Sequence, residues 1–511
     1  MQTQPALSMW LVPFSLLGVA LPAQTTAVDT VSGHVYQDSN GNGKLDPGEQ
    51  GISGVRVTDG VGFVTSGADG TYTIRIGADP TVPQRSAQTL GVCWPTGLWP
   101  CGPWWVRLSR IADANAVDFA LRSEAQKLPF IYLHMTDAHE SFNTAHLDFA
   151  EFVNALPPDV KFIIDTGDSY RPKSAEAPFK RLFFSTVGNH DTWEAPDPPP
   201  EGRYGAWTDR LGPVRWSFDH AGIHFVGIDV VDENKPAAMV DWLERDLAAV
   251  PRGTRIVLNY HYPDLSGDER FTRLLRDHKV EIVHAGHDHA YSWSDGTPAL
   301  VRAYHWQPPG TCNLAVVSTD RIDIGVYCIG CKNTPGRHSR RCPMDWVGHI
   351  LSGSISPLFT QLHTLDPGPL TGTRTVKLTD PHVFVLAKID PAGARRVALR
   401  IGTGNTPLEI AFTGERLVVD GASVPFALRP GQQTLDLTVF AHRNMLTVWA
   451  NNYFFMEKPV VFARAGEVSI TADGGAAVIE SMTVQEVKAD PDNSSRTYSC
   501  GCGHGSLRRV P

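Results

Sequence analysis

Short runs in which apolar and polar residues alternate fill two parts of this 511-residue chain. One part is residues 31–125, where Tyr72–Ile74 is an example. The other is residues 344–490, where Leu435–Val439 lies close to Met445–Trp449. A period of two between turns rich in Gly and Asp is typical of half-buried strands. We therefore predict an all-β sandwich in each part.

Residues 126–343 follow a different pattern. Apolar runs such as Phe130–Leu133, Phe162–Ile164 and Ile256–Leu258 predict buried strands. Between such runs, apolar residues recur at helical spacing, as at Met239, Trp242, Leu243 and Leu247. Strands that alternate with helices predict a layered domain between the two sandwiches.

The two ends of the chain differ from these domains. The apolar stretch Met9–Ala20 is followed by small residues. This predicts a signal peptide over residues 1–30 and an exported protein, whether secreted, periplasmic or on the cell surface. The alternative is an apolar N-terminus without that role. Ser and Gly predict a flexible tail over 491–511. No later stretch has the length and apolar content of a transmembrane helix.

The overall composition narrows the class of partner. The apolar fraction of 42% and the charged fraction of 19% suit a soluble globular protein. The net charge of −9 argues against a nucleic-acid or anionic-membrane surface, because those partners require a concentrated basic patch.

Eight cysteines occur in the chain, and an even number in an exported protein is typical of disulfides. Cys93 with Cys101 is the pair that we expect first. An alternative is a structural zinc site held by a group of four nearby residues, namely Cys328, Cys331, His338 and Cys342.

The first predicted sandwich opens with a possible calcium loop. The residues from Asp38 to Glu49 have the spacing of a twelve-residue calcium loop, with oxygen ligands at alternate positions and Gly43 at the sharp turn. The candidate residues are Asp38, Asn40, Asn42, Lys44, Asp46 and Glu49. The helices of an EF-hand are absent from the flanking pattern, so a structural ion in a β-domain is the hypothesis. The alternative is a polar turn without an ion.

A tryptophan-rich segment follows in the same predicted sandwich, at Trp94, Trp99, Trp104 and Trp105. Exposed tryptophans can stack on sugars, but such a cluster more often packs a loop or a domain interface. We favour the packing interpretation.

The chemistry-bearing residues follow the apolar runs of the middle domain. They form five blocks: Asp137-Ala-His139, Gly167-Asp168, Gly188-Asn189-His190-Asp191, His261, and Gly286-His287-Asp288-His289. Loops beyond strand ends are where open sheets place their sites. The glycines allow tight bends that bring neighbouring side chains together.

Seven side chains in these blocks are candidate metal ligands, namely Asp137, His139, Asp168, Asn189, His261, His287 and His289. Seven ligands suit two ions if Asp168 bridges them. Mixed carboxylate and imidazole ligands favour manganese, iron or zinc. Two such ions can clamp a phosphoryl group and make hydroxide available near neutral pH.

His190 is the candidate catalytic residue beside these ligands. It follows Asn189, so its side chain would project to another side of the site. Asp191 could hydrogen-bond the imidazole and favour its protonated form. A protonated His190 would then stabilise the transition state or protonate the leaving oxygen.

The order of the five blocks resembles the calcineurin-like metallophosphoesterase family over roughly residues 128–300. By that resemblance, Asp168 bridges two metals, and His190 is the catalytic histidine. One metal would be held by Asp137, His139, Asp168 and His289, and the other by Asp168, Asn189, His261 and His287. The purple acid phosphatases have a tyrosine three residues after the bridging aspartate. Here Tyr170 lies two residues after it, so the chain is more similar to the ordinary dinuclear branch.

The same resemblance implies a fold. It is an α+β arrangement with a four-layer αββα core. The first unit is similar to the N-terminal β-sandwich of exported family members. The last domain resembles a laminin-G or concanavalin-like sandwich, which raises carbohydrate as a possible partner.

Together these inferences predict an exported enzyme with two metal ions that hydrolyses phosphate mono- or diesters. A metal-bridging hydroxide would attack phosphorus with help from His190, and the substrate would be a phosphorylated small molecule or a nucleotide. One rival is a non-catalytic surface protein that binds carbohydrate or another partner and carries a silent middle domain. Another is a metallohydrolase of non-phosphate substrates.

Overall fold

A computed structural model describes most of the chain between residues 29 and 488. The described ranges are 29–138, 151–169, 179–193, 204–231, 235–263, 268–288, 292–294, 299–302, 311–328, 359–380, 382–403, 406–442, 444–451, 453–461 and 465–488. The predicted signal peptide (1–30) lies almost entirely outside them, and the predicted tail (491–511) lies wholly outside them.

The N-terminal region consists of two four-stranded sheets that share one apolar core. In pairing order, the first sheet is β4 (Thr71–Arg75), β1 (Thr30–Gln37), β8 (Phe119–Ser123) and β6 (Leu98–Pro100). The second is β3 (Phe63–Thr65), β2 (Arg56–Thr58), β5 (Thr89–Cys93) and β7 (Trp105–Arg107). Val31, Val35, Val57 and Val92 meet between them, because alternate residues of each strand point to one face.

The tryptophan-rich segment joins this region to the middle of the chain. Trp94 is 1% exposed and stacks on Phe218, with 5.1 Å between the ring centroids. Trp104 packs on Phe184 at 5.4 Å. The packing interpretation is therefore confirmed for Trp94 and Trp104, which form an interface rather than a sugar-binding surface.

A buried ion-pair cluster crosses the same interface. The Arg215 guanidinium lies 2.6 Å from the Asp229 carboxylate and 3.0 Å from that of Asp79, and all three side chains are buried. A buried charge is tolerated only when it is paired and hydrogen-bonded, as here. Since Asp79 belongs to the N-terminal region, the pairing fixes how that region sits on the middle domain.

The middle domain contains two sheets that pack face to face. Along one, the pairing order is β11 (Leu182–Ser185), β10 (Val160–Asp165), β9 (Phe130–Met135), β18 (Thr311–Val317) and β19 (Ile322–Cys328). The other is β12 (Trp216–His220), β13 (Ile223–Gly227), β14 (Arg255–Asn259), β15 (Ile282–Ala285), β17 (Ala299–Arg302) and β16 (Ser292–Ser294). Aromatic rings such as Phe130, Phe162 and Phe225 fill the space between them.

Helices cover the outer faces of these two sheets. The α-helices that lie wholly within the described residues are α1 (Asn189–Trp193), α2 (Gly205–Arg210), α3 (Ala237–Ala248) and α4 (Glu269–Asp277). α3 and α4 pack on the second sheet through residues such as Leu243 and Phe271. On the far face of the first sheet, Val153 of the helical residues 151–155 joins the core around Leu133. Among the described residues, no helix combines the length and apolar content that a membrane crossing requires.

The first sheet of the middle domain continues into the C-terminal region. Gly325, Val326 and Tyr327 of β19 pair with Met456, Phe455 and Phe454. The sheet then runs through β30 (Phe454–Pro459), β29 (Met445–Ala450), β28 (Leu435–His442), β23 (His382–Asp390), β32 (Ala477–Val487) and β20 (Phe359–Leu365), with β21 (Gly368–Leu370) also on β32. The predicted boundary at residues 343 and 344 therefore falls within a stretch whose flanking strands share one sheet.

A second sheet completes the C-terminal region. It contains β22 (Thr373–Lys377), β31 (Glu467–Asp473), β24 (Arg396–Ile401), β25 (Leu408–Phe412), β26 (Arg416–Val419) and β27 (Ala422–Pro425). Its apolar side chains, such as Leu399 and Ile410, share a core with Val385 and Val439 of the continuous sheet.

The cysteine predictions require correction. Cys93 and Cys101 are both free thiols, so the expected disulfide between them is wrong. Cys93 ends β5, whereas Cys101 follows β6 in the opposite sheet, and burial raises the pKa of the Cys93 thiol to about 11. Cys328 is disulfide-bonded, with its partner outside the described residues, which contradicts a zinc site that includes its thiolate.

Candidate metal centre

The predicted ligands lie just beyond the carboxyl ends of parallel strands in both middle sheets. β9, β10 and β11 run parallel to one another, as do β13, β14 and β15. Asp137 follows β9, Asp168 follows β10, and Asn189 begins α1 after β11. In the other sheet, His261 follows β14 and His287 follows β15. The predicted placement of the blocks at strand ends is confirmed for these five residues.

Five of the seven predicted ligands converge. One ligand atom each from Asp137, Asp168 and His261 lies within 4.8 Å of the others, and all three residues are buried. His261 Nε2 is 3.1 Å from Asp168 Oδ2 and 2.9 Å from Asn189 Oδ1. Asn189 Oδ1 is also 3.0 Å from His287 Nδ1. The remaining two, His139 and His289, lie outside the described residues.

Three of the converging residues have a strained backbone. Asp137, Asp168 and His287 adopt φ angles of 52°, 56° and 69°. Such angles are uncommon for residues other than glycine and cost on the order of 1–3 kcal/mol each. They persist only where surrounding contacts hold the turn, and they tend to occur at functional sites.

Two glycines make the approach of the loops possible. A Cβ atom on Gly188 would overlap Oδ1 of Asp168, and one on Gly286 would overlap Oγ1 of Thr136 and crowd Asp137. Only glycine fits at these two positions, as the Gly-containing blocks in the sequence predict.

The surroundings of His261 fit a cation. Its Nδ1 lies 2.8 Å from the Thr166 carbonyl oxygen, which only accepts hydrogen bonds, so Nδ1 carries the proton. Nε2 of the neutral ring then directs a lone pair toward Asp168 and Asn189, whose nearby atoms are also acceptors. A positive charge among them relieves this conflict. The pKa of His261 reflects the same preference for positive charge. Burial alone would lower this pKa, but Asp168 raises it overall to about 9.

Asp137 is held by several donors. Thr136 Oγ1 donates to its Oδ2 at 2.9 Å, and the His287 backbone N–H donates to both oxygens at 3.1 and 3.0 Å. The Asp137 N–H in turn donates to the Gly167 carbonyl at 2.9 Å. Asp137 therefore links its own turn to the turn after β15 through its carboxylate and to the turn after β10 through its backbone N–H. Burial, reinforced by His261, lowers the pKa of His287 and favours the neutral ring that a metal ligand needs.

His190 and Asp191 occupy different surroundings. His190 is half-buried beside fully buried neighbours, and its backbone N–H donates to Asp168 Oδ1 at 2.8 Å. Asp191 is buried, and its Oδ2 accepts from the N–H groups of Asp168 (2.9 Å) and Gly188 (2.6 Å). Asp191 thus joins two turns that carry predicted ligands. Its predicted hydrogen bond to the His190 ring stays a prediction.

Further buried polar residues lie next to the candidate metal centre. Asp165 accepts hydrogen bonds from Ser169 (2.7 Å) and Ser185 (2.6 Å), and burial raises its pKa well above the ordinary value. His134 and His284 are also fully buried, and burial lowers the pKa of both rings, to about 3 for His284. The sequence contained no signal for these contacts beyond the closeness of the residues to the blocks.

The predicted calcium loop is closed by hydrogen bonds of its own. Asp38 Oδ2 accepts from the Gly43 N–H at 2.8 Å. Asp46 Oδ2 accepts from the amide groups of Asn40 (2.8 Å) and Asn42 (2.7 Å). A bound calcium ion would have to displace these N–H donors from the carboxylates of Asp38 and Asp46. The calcium hypothesis therefore stays a prediction.

The middle of the chain is similar to a known protein family. Residues 131–291 match the family described as calcineurin-like phosphoesterase. No curated protein matches the chain.

Several solved structures resemble parts of the chain. A predicted phosphoesterase from Streptococcus pneumoniae TIGR4 is 12% identical, with a TM-score of 0.24, over 41% of this chain and 95% of that chain. Vacuolar Protein Sorting 29 from Cryptosporidium parvum is 12% identical, with a TM-score of 0.24, over 40% and 92%. Exo-inulinase from Aspergillus awamori is 10% identical, with a TM-score of 0.23, over 35% of each chain. The chain thus spans about a third of the length of the inulinase.

Proposed function

Because residues 131–291 are a calcineurin-like phosphoesterase domain, we propose that this protein hydrolyses phosphate mono- or diesters with the help of two metal ions. The observation that carries the proposal is the convergence of Asp137, Asp168 and His261, whose ligand atoms lie within 4.8 Å of one another. These groups are buried and come from two different sheets, so a surface cluster of acidic residues does not account for them.

We propose that the seven predicted side chains hold the two ions, with Asp168 between them. Manganese, iron and zinc suit this mixture of carboxylate, amide and imidazole ligands. When bound, the ions would supply charge neutralisation for the phosphoryl group and activation of water. The chain's own contribution is the geometry: Asp191 ties the turn of Asp168 to Gly188, and Asp137 ties its own turn to His287.

His190 would assist the leaving group. The hydrogen bond from its backbone to Asp168 fixes the start of α1, and its half-buried ring is more accessible than the residues on either side. A proton on this ring would stabilise charge on the phosphoryl oxygens or be transferred to the leaving oxygen. The substrate would be a phosphorylated small molecule or a nucleotide.

The wider setting is also part of the proposal. The two packed sheets with helices on both outer faces support a four-layer αββα core between two β-sandwiches. The disulfide at Cys328 supports export, since disulfides persist in oxidising compartments. The predicted signal peptide would provide that export.

An assay with a generic aryl phosphate monoester and diester tests this function. We expect turnover with added manganese, loss of turnover after chelation, and recovery when the metal is restored. The variant His190→Ala should keep its metal but lose at least about a hundredfold in kcat, the lower range for a general acid. The matched variant Asp168→Asn should lose metal as well as turnover.

Two results would contradict the proposal. Purified protein that binds no transition metal would remove its basis. Protein that binds metal but hydrolyses neither ester would favour the rival, a non-catalytic surface-binding protein. If His190→Ala lost its metal, His190 would be reassigned as a ligand.

A further inference from the structure

A chain of buried polar groups connects the metal centre with the core between the two middle sheets. Its first link is the hydrogen bond from His261 Nδ1 to the Thr166 carbonyl oxygen, at 2.8 Å. The second runs from the same threonine to His134, whose Nε2 lies 3.0 Å from Thr166 Oγ1. The third joins His134 Nδ1 to the amide nitrogen of Asn313 at 3.3 Å. Asn313 is the cross-strand neighbour of His134 in the pairing of β18 with β9.

The directions of these bonds follow from the groups involved. The Asn313 amide nitrogen can only donate, so His134 Nδ1 accepts and Nε2 carries the proton. Nε2–H therefore donates to Thr166 Oγ1. Burial lowers the pKa of His134 well below its ordinary value, which keeps the ring neutral with a single N–H. The Thr166 side chain is thus held by a donor with one fixed direction.

Thr166 lies where such a constraint matters. Its backbone N–H donates to the Met135 carbonyl at 2.9 Å, and the next two residues are Gly167 and Asp168. Asp168 has a φ angle of 56°, in the strained left-handed region. A strained turn keeps its shape only when several contacts define it. The contact with His134 is one of them, and it is made by a side chain that is fully buried.

An apolar residue would suit the position of His134 better if packing were its only task. The same inter-sheet core is filled by aromatic rings such as Phe130, Phe162 and Phe225, which lose no hydrogen bonds with water when they are buried. Burial of an imidazole costs free energy of desolvation, and apolar groups in place of two hydrogen-bonded partners can be as stable or more stable. A polar residue at a position that favours an apolar one for stability is expected mainly at functional sites.

We propose that His134 is a positioning residue for the metal centre, because it holds Thr166, whose carbonyl oxygen fixes the orientation of the metal ligand His261. The inference rests on the proposed function, since it takes His261 as a metal ligand. Groups that orient metal ligands through a hydrogen bond typically contribute about 10–100-fold to metal affinity.

Zinc affinity, measured by competition with a chromophoric chelator, tests the proposal without relying on turnover. Thr166→Val removes the hydroxyl group but keeps the carbonyl oxygen and nearly the same shape. We expect it to weaken zinc binding about tenfold, and His134→Phe to do the same. The double variant should lose no more than either single one, because both changes break the same link. Thr166→Ser keeps the hydroxyl group and should bind zinc like the unchanged protein.

Tyr132→Phe is the matched control. Tyr132 lies in the same buried layer, and its hydroxyl group is 2.6 Å from His284 Nε2, without a described contact to Thr166. This variant removes a buried hydrogen bond of similar kind, so it should change the melting temperature but not the zinc affinity. Circular dichroism of all five variants checks that each is folded.

The possible failures are distinguishable. Wild-type zinc affinity in folded Thr166→Val would overturn the positioning role and leave the proposed function standing. Additive losses in the double variant would also overturn it, since they would mean that the two residues act separately. If Tyr132→Phe lost as much affinity as Thr166→Val, the effect would be general loosening of the core. If the unchanged protein took up no metal, both the proposed function and this inference would fall.

Discussion

At the scale of single residues, a buried group of charged side chains stabilises the interface between the N-terminal region and the middle domain. Both ring nitrogens of His224 face carboxylates, with Asp219 at 2.7 Å and Asp246 at 2.8 Å. Asp246 also accepts from Arg56 of β2 (2.8 Å) and from Ser217 (2.7 Å). The histidine is therefore charged in the folded protein, and one of its partners receives a hydrogen bond from the N-terminal region.

This arrangement predicts a loss of stability at alkaline pH. Burial lowers the pKa of His224, but the two carboxylates raise it overall from 6.5 to about 9. Since the folded-state pKa lies above the unfolded value, the bound proton stabilises the fold fully below pH 6.5, and this contribution is lost as the pH rises through 9. The shift corresponds to about 3 kcal/mol.

The comparison of wild type with His224→Gln isolates this effect. The difference between their free energies of unfolding, measured with denaturant at several pH values, should shrink as the pH rises from 6.5 to 9. Titrating groups that do not contact His224 are common to both proteins and cancel. A difference that does not change over this range would contradict the prediction.

The sequence predicted side chains that converge in the structure, but not the way in which they are held. Five blocks in order predicted Asp137, Asp168 and His261 because strand ends and ligand types are local signals. The left-handed conformation of Asp168 and the role of Asp191 were not readable. They depend on hydrogen bonds between turns far apart in the chain, such as those from the Asp168 N–H to Asp191 and from the His287 N–H to Asp137.

At the scale of elements, strands and helices with a clear period were predictable. Phe130–Leu133 lies within β9, Ile256–Leu258 lies within β14, and the helical spacing from Met239 to Leu247 matches α3. Which strands pair was not predictable. The partner of β19, β30, lies more than a hundred residues later, and nothing local in either strand distinguishes that partner from other buried strands.

The loop between β1 and β2 yields a prediction at this scale. If it binds calcium as modules of exported proteins do, with a Kd of about 10⁻⁴–10⁻³ M, then about 10 mM calcium should stabilise the fold by about 2 kcal/mol. The variant Glu49→Gln should show a smaller calcium-dependent increase in the free energy of unfolding. Glu49 also accepts hydrogen bonds from the backbone of Ser39 and Asp46, so only the calcium-dependent part is informative.

Magnesium at the same concentration provides the control for ionic strength. Wild-type protein whose unfolding is unchanged by calcium would establish that the loop is closed by hydrogen bonds alone.

At the scale of the whole molecule, the middle domain and the C-terminal region share a sheet and a core. Ile131, Leu133 and Ile163 of the middle domain belong to the same apolar cluster as Val385 and Val439. The buried Lys458 ammonium of β30 lies 3.0 Å from Asp323 of β19. We therefore expect the folding of the middle domain to depend on the C-terminal region.

A chain truncated after residue 343 should not fold into a soluble protein. It would lack β30, so the edge of β19 would be unpaired and the apolar face that the C-terminal region covers would meet water. We expect most of it in the insoluble fraction, and strong binding of an apolar dye by the remainder. A chain that ends at residue 490 is the control and should stay soluble. A soluble, cooperatively unfolding 1–343 chain would contradict this view.

The pairing of β19 with β30 also has a consequence for synthesis on the ribosome. β19 ends at Cys328, but its neighbour begins only at Phe454. At about 5–20 residues per second, the ribosome needs on the order of 6–25 s to make the intervening stretch. During that time the edge of β19 that later pairs with β30 is unpaired in the nascent chain. Chaperones bind exposed edges and apolar surfaces of this kind.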